Sequence, residues 1–150
     1  WGGGGAGQLG TNDTALRGTP VTTFAGGTNW KQVSSGVSHT AAVKTDGTLW
    51  VWGAGGSGRL GNNSTTDSLT PVTTFAGGTD WKQVSSGVFH TAAIKTDGTL
   101  WTWGANGSGQ LGNNSTTDRL TPVTTFAGGT NWKQVSCGAR NTAAIKSVDF

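Results

Sequence analysis

Glutamate, methionine and tyrosine are absent from the 150-residue chain, cysteine occurs once, and charged residues make up only 11%. Without glutamate and methionine few strong helix formers remain, which argues against a helical domain. A single cysteine, Cys137, excludes an intrachain disulfide. It stands where the sister segments carry Ser35 and Ser86 within WKQVSSG, so a small buried residue is expected there and not a catalytic thiol. No apolar run approaches the roughly 18 residues that a membrane helix needs, and no membrane partner is expected. Six lysines and four arginines against seven aspartates give a net charge of +3. These cations recur at regular spacing without forming the dense basic face of a nucleic-acid binder, so nucleic acid is not an expected partner. The chain begins at Trp1 with neither Met nor a signal peptide, which reads as processing or an engineered start and leaves its targeting open.

What is present is 27 glycines among threonine, valine and eight tryptophans. This is the composition of strands and turns, too aromatic and β-branched for a disordered chain, and an all-β fold with a real core is expected. One glycine hexamer occurs three times: GAGQLG at 5–10, GSGRLG at 56–61 and GSGQLG at 107–112. The last fits the G-x-G-x-x-G of a dinucleotide site, but that motif requires a strand before it and a helix opening behind it. NNSTTDRLTP follows Gly112, a run of turn formers with no helical period, so no phosphate cradle and no cofactor are expected. The hexamer belongs to a repeat instead. An offset of 51 aligns Trp1, Trp52 and Trp103, then Pro20, Pro71 and Pro122; residues 1–51 match 52–102 at 38 of 51 positions, and 52–99 match 103–150 at 36 of 48. The units are 1–51, 52–102 and 103–150, and such a period marks a solenoid, propeller or array.

Each unit reads as four short strands. WKQVSSG (30–36) alternates apolar and polar residues, and HTAAVK (39–44) and TLWVW (48–52) flank a TDG turn in which Asp46-Gly47 is expected to supply positive φ angles. A long polar loop leads to TPVTTF (70–75), whose Pro71 suits a strand start or an outer edge. In TLWVW, Trp50 and Trp52 share one face and Leu49 and Val51 the other, so both faces are apolar and both need cover. Four-stranded antiparallel sheets stacked face to face around an axis provide it, which predicts a β-propeller with about three blades per chain. Trp1, Trp50, Trp52, Trp101 and Trp103 then serve as wedges between blades and not as ligand platforms.

Taken together, GVxHTAAxKTDGTLWxWGAxGSGxLG resembles the repeat of the regulator of chromosome condensation family, and the resemblance covers the whole chain. It implies a propeller, and it casts the glycine hexamer as the loop joining blades, where backbone passes close to backbone. The founding member of that family is a nucleotide exchange factor for the small GTPase Ran, acting through a wedge inserted into one blade and carrying a basic tail for chromatin. Neither feature is found in this sequence, and exchange activity is kept only as a fold-level alternative. Other relatives bind proteins through the loop face, including an inhibitor of β-lactamases. The expectation is therefore a non-catalytic protein-binding or scaffolding module; a Trp-lined glycan lectin is the other alternative.

His39 and His90 are the only histidines, and Asn141 takes their place in the third unit. A metal site needs three or four convergent ligands and a nucleophile needs a positioned base. Neither is legible, so no metal and no catalytic residue are expected, and each imidazole is assigned a hydrogen bond to the backbone of a neighbouring blade. Asp46 and Asp97 belong to turns. Candidate partner contacts are the positions at which near-identical units differ: Ser38, Phe89 and Arg140 beside the histidine, Gln8, Arg59 and Gln110 in the hexamer, and Arg17, Ser68 and Arg119 in the loop that follows. Phe and Arg are frequent interface anchors.

Asn12, Asn63 and Asn114 stand in N-x-S/T patterns that accept glycans in a secreted eukaryotic protein. Turn formation accounts for the same residues, and the near identity of the units reads as a recently amplified bacterial array, secreted or at the cell surface, or as an engineered chain. Three units supply at most three blades, fewer than a closed propeller uses. The third unit reads NTAAIKSVDF and stops at Phe150, while Trp1-Gly2 and TPVTTF (19–24) are a strand end and an edge strand without a blade. The chain is thus its own expected partner. Two copies closing on each other give a six-bladed homodimer with two-fold symmetry, and an open fibre or a piece of a longer array are the competing outcomes.

Overall fold

The computed structural model describes residues 1–148; Asp149 and Phe150, the end of the SVDF segment, lie outside the described residues. Among the described residues three antiparallel sheets follow one another. The first holds β1 (Trp30–Ser35), β2 (His39–Lys44), β3 (Leu49–Gly53) and β4 (Ser68–Thr73) in that order. The second repeats it with β5 (Trp81–Ser86), β6 (His90–Lys95), β7 (Leu100–Gly104) and β8 (Arg119–Thr124), and the third pairs β9 (Trp132–Cys137) with β10 (Thr142–Lys146). The four strands expected of each unit are present in the first two sheets. Among the described residues the one helical segment is a 3-10 turn at Gly56–Gly58, so no helix opens behind a glycine hexamer.

The core lies between the sheets. β2 and β6 are buried at five consecutive positions, His39 to Val43 and His90 to Ile94, as expected of strands covered on both faces. Ala41, Val43 and Val51 of the first sheet pack with Trp81, Val84, Ala93 and Trp103 of the second. Ala92, Ile94 and Leu100 of the second pack in turn with Val135 of the third. Where no sheet follows, the same positions open to solvent: Ile145 is 58% exposed, whereas its equivalents Val43 and Ile94 are fully buried. At the other end Val33 is 63% exposed, against 1% for Val84. Covering such a side chain is worth about 1.5–3 kcal/mol, so each added blade stabilises the one before it.

Polar clamps fix the blades in register. The Gln32 amide donates to Val84 O at 2.7 Å and its oxygen accepts from Val84 N–H at 2.8 Å. Ser34 Oγ accepts from Ser86 N–H at 2.9 Å. One blade further on, Gln83 holds Val135 and Ser85 holds Cys137 in the same way.

The hairpin turn differs from its expected form. Of Asp46 and Gly47 only the glycine takes a positive φ, 81°. Gly47 N–H donates to Lys44 O and Lys44 N–H to Thr48 O, each at 3.0 Å, so the loop spans residues 45–47 with glycine at its left-handed position. Asp46 instead caps the turn: its Oδ1 accepts from Thr48 N–H and Thr48 Oγ1, which holds its carboxyl below the usual range.

Candidate partner-binding face

The turn joining the first two strands of a blade carries Gly-x-x-His-Thr. Consecutive strand residues point to opposite faces, so His39 reaches forward to the next blade while Thr40 reaches back to the loop before it. His39 Nε2 donates to Thr91 Oγ1 at 2.9 Å, and Thr91 Oγ1 donates to Arg59 O at 2.8 Å. A hydroxyl has one proton to give, so with the Thr91 proton on the carbonyl the imidazole proton sits on Nε2 and Nδ1 is bare. The expected backbone acceptor is therefore reached through a threonine hydroxyl. His90 repeats the relay through Thr142 to Gln110 O. A Cβ on Gly36 would lie 2.7 Å from His39 Cε1 and 2.3 Å from Gly87 O, which explains the glycine that opens the motif. Burial lowers the His39 pKa to about 3 and moves His90 in the same direction, so both rings are neutral at pH 7.

The three turns converge on a shallow cleft of about 290 Å³ lined by Gly36, Val37, Gly87, Val88 and Gly138. The first set of varied positions follows this lining in the chain: Ser38 comes after Val37 and Phe89 after Val88, while Arg140 lines a second cavity beside the third blade. Phe89 is 41% exposed, and the Arg59 guanidinium lies 4.7 Å from its ring centroid, a contact worth about 0.5–2 kcal/mol. Arg140 is exposed and Ser38 half-buried at the equivalent places on the flanking blades.

The other two sets lie elsewhere. Gln8 and Gln110 accept Ala6 N–H and Ser108 N–H on their side-chain oxygens, and Arg59 Nε donates to Gly56 O, so these residues brace the glycine loops. Arg59 and Gln110 are buried, and the Arg59 guanidinium lies over the Phe89 ring. Arg17 pairs with Asp13, and Ser68 and Arg119 open the outermost strands β4 and β8. Phe24, Phe75 and Phe126, exposed once per unit, were not among the candidates, because a search for differences between units passes over what they share.

The hexamer glycines take up the role of blade contacts. A Cβ on Gly58, whose φ is +75°, would lie 2.6 Å from Leu120 Cα on the next blade's outer strand. Trp52 and Trp103 donate to Gln8 O and Arg59 O at 2.9 and 3.1 Å. Trp50 and Trp101 meet Trp30 and Trp81 edge to face, and Lys44, Lys95 and Lys146 sit over the remaining ring faces. Trp1 alone is largely open, at 72%. Cys137 Sγ donates to Ser85 O at 3.3 Å, and burial pushes its thiol up. Asn12, Asn63 and Asn114 all adopt positive φ, the turn conformation that asparagine tolerates. Among the described residues no three His, Cys or Asp side chains gather as a metal site would require.

Four-stranded sheets stacked face to face, clamped at their inner strands and joined by glycine loops, define a β-propeller of tandem repeats. The chain belongs to the regulator of chromosome condensation (RCC1) repeat family, whose model matches residues 1–43, 46–94 and 97–145. It is 39% identical over 149 residues to the ultraviolet-B receptor UVR8 of Arabidopsis thaliana, covering 97% of this chain and 34% of that protein. It is 37% identical over 127 residues to the probable E3 ubiquitin-protein ligase HERC4 of Mus musculus, covering 83% of this chain and 12% of that one. The chain thus spans about a third or less of the length of these relatives. Human WBSCR16 superposes with a TM-score of 0.82 at 24% identity, covering 99% of this chain and 39% of its own. Prp20p of Saccharomyces cerevisiae superposes with a TM-score of 0.82 at 20% identity, covering 99% and 40%, and both show the same fold.

Proposed function

We propose that the chain is a non-catalytic protein-binding or scaffolding module that meets its partner with the face around the Gly-x-x-His-Thr turns. The observation that carries this reading is the Arg59–Phe89 stack, with an exposed Arg140 at the position equivalent to Phe89 on the third blade. An aromatic ring held rigid over a guanidinium loses little freedom on binding, and such residues dominate interface energetics. The family supports the class of function: the Prp20p structure is described with its binding to Gsp1p and histones, and another has Kap60 bound to yeast RCC1. A paired pull-down tests the reading. The chain is expected to retain one protein that the Phe89→Ala/Arg140→Ala variant loses, with the variant's circular dichroism unchanged. Equal retention by both proteins contradicts the assignment of the face.

The same reading includes assembly of the chain with itself. Gln134 and Ser136 are the exposed equivalents of the clamp residues Gln32 and Ser34, and exposed Val33 and Ser35 are the equivalents of their partners Val84 and Ser86. The open face of the third blade thus carries the donors and acceptors that the open face of the first blade complements, and two such joints close a six-bladed dimer. Light scattering in dilute solution is expected to give twice 15.2 kDa. A folded monomer contradicts the joint, and a mass that grows with concentration favours a fibre.

A further inference from the structure

Gly4, Gly55 and Asn106 hold the same place in the three units, immediately ahead of the glycine hexamer. At the two glycines the polar loop closes onto the backbone: a Cβ on Gly4 would lie 2.5 Å from Ala15 O, and one on Gly55 2.1 Å from Thr66 O. In the third unit the same loop is built around a side chain. Asn106 is fully buried, and its Nδ2 donates to Asn113 Oδ1, Ser115 O and Thr117 O at 3.0, 2.8 and 3.1 Å. Its Oδ1 accepts from Leu111 N–H at 3.0 Å, and its backbone N–H donates to Asp118 Oδ1 at 2.8 Å. One asparagine thus ties the segment 106–118 to itself.

Gly107 follows, exposed and with nothing within 4 Å of a Cβ built on it, and Asn106-Gly107 is the one Asn-Gly pair in the sequence. We infer that this pair is a self-modification site, held shut by the fold and armed when the 106–118 loop opens. A residue without Cβ lets its own backbone nitrogen reach the side chain before it. Gly107 N then attacks Asn106 Cγ: the new N–C bond closes a five-membered succinimide, the Cγ–Nδ2 bond breaks, and the amide nitrogen leaves as ammonia with the Gly107 proton. Water opens the ring and leaves an aspartyl or isoaspartyl carboxyl, with no electron gained or lost. In the closed loop four hydrogen bonds fix the amide, so it cannot turn onto Gly107 N. The product does not fit back. The three oxygens that accepted from Nδ2 would face a carboxylate oxygen, which has no proton to give, and acceptors buried without a donor are costly. The modified chain therefore carries a one-way record that the loop has opened.

Incubation of the chain at mildly alkaline pH, folded and in concentrated urea, followed by peptide mass spectrometry, reads the amide-to-acid change at each asparagine. Asn114, followed by serine, is the internal reference. In urea Asn106 is expected to react faster than Asn114, and in the folded chain at least about tenfold more slowly than in urea, because reaction then waits on local opening. Equal rates at Asn106 in the folded and unfolded chain overturn the closure, and an Asn106 no faster than Asn114 in urea overturns the site. Urea unfolding of Asn106→Asp and Asn106→Gly tests the record separately. Glycine is what the first two units carry, so Asn106→Gly measures loss of the side chain alone. Asn106→Asp is expected to unfold at a lower urea concentration than Asn106→Gly; a midpoint at or above that of Asn106→Gly overturns the one-way step.

Discussion

His39 Nε2 gives its proton to Thr91 across the boundary between two blades, which leaves a bare Nδ1 against Gly36 and no acceptor for a second proton. Acid therefore acts on this contact. The unfolded histidine titrates near 6.5, while burial holds the native ring at about 3, so between these values the unfolded chain binds more protons and stability falls as pH falls. One fully differential proton costs about 1.4 kcal/mol per pH unit, and His90 shifts in the same direction. Urea unfolding is expected to show a constant midpoint above about pH 7 and a falling one from about pH 6.5 to 4.5. Asn141 shows that asparagine is accepted at this position, so His39→Asn is expected to flatten the fall; a profile already flat in the parent chain contradicts the relay.

The Gln32 clamp yields a second prediction. Gln32→Ala leaves both Val84 N–H and Val84 O without their partner beside a buried strand. A loss of about 1–3 kcal/mol is expected in denaturant melts. Gln134→Ala, the equivalent change on the open face, is expected to leave the single copy's stability within about 0.5 kcal/mol. Equal losses at the two positions argue that the amide acts within its own sheet.

Glycine positions divide sharply by surroundings. At Gly47 an added Cβ would lie 2.0 Å from Thr79 O and φ is positive, while at Gly107 nothing lies within 4 Å and φ is not positive. Gly47→Ala is expected to cost about 2–4 kcal/mol and Gly107→Ala to be neutral or slightly stabilising. Thermal melts of the two variants check this, and a tolerated Gly47→Ala contradicts the close packing of hairpin turn against the next blade.

Cys137 is a serine position occupied by sulfur. Ser86 makes the same contact, donating its hydroxyl to Ser34 O at 3.1 Å. Cys137→Ser is expected to change stability by less than about 1 kcal/mol, and the native thiol, with its pKa raised by burial, to react with disulfide reagents more slowly than free cysteine at pH 8. Faster reaction than free cysteine refutes the structural role.

Much of the fold was legible because one period governs it. Trp-x-Trp with Leu and Val between leaves no polar face, and stacked blades are the arrangement that buries both sides. The Asp46-Gly47 pair marked a hairpin but not its form, since the choice between two and three loop residues depends on how Lys44 and Thr48 pair. His39 was legible as structural, yet its acceptor was not, because Thr91 lies one blade away and only stacking brings the two together. Sequence differences between units led to Phe89 and Arg140, but they also led to Arg59 and Gln110, whose side chains turn inward to brace their loops.

The central claim is that the partner meets the Gly-x-x-His-Thr end of the blades. Hydrogen–deuterium exchange of the chain alone and bound to the protein it retains tests this most directly. Slowed exchange is expected in residues 36–39, 87–90 and 138–141, with none at the hairpin turns 45–47 and 96–98 on the opposite end. Protection confined to those hairpin turns, with the two Gly-x-x-His segments and the Gly-x-x-Asn segment at 138–141 unchanged, contradicts the account.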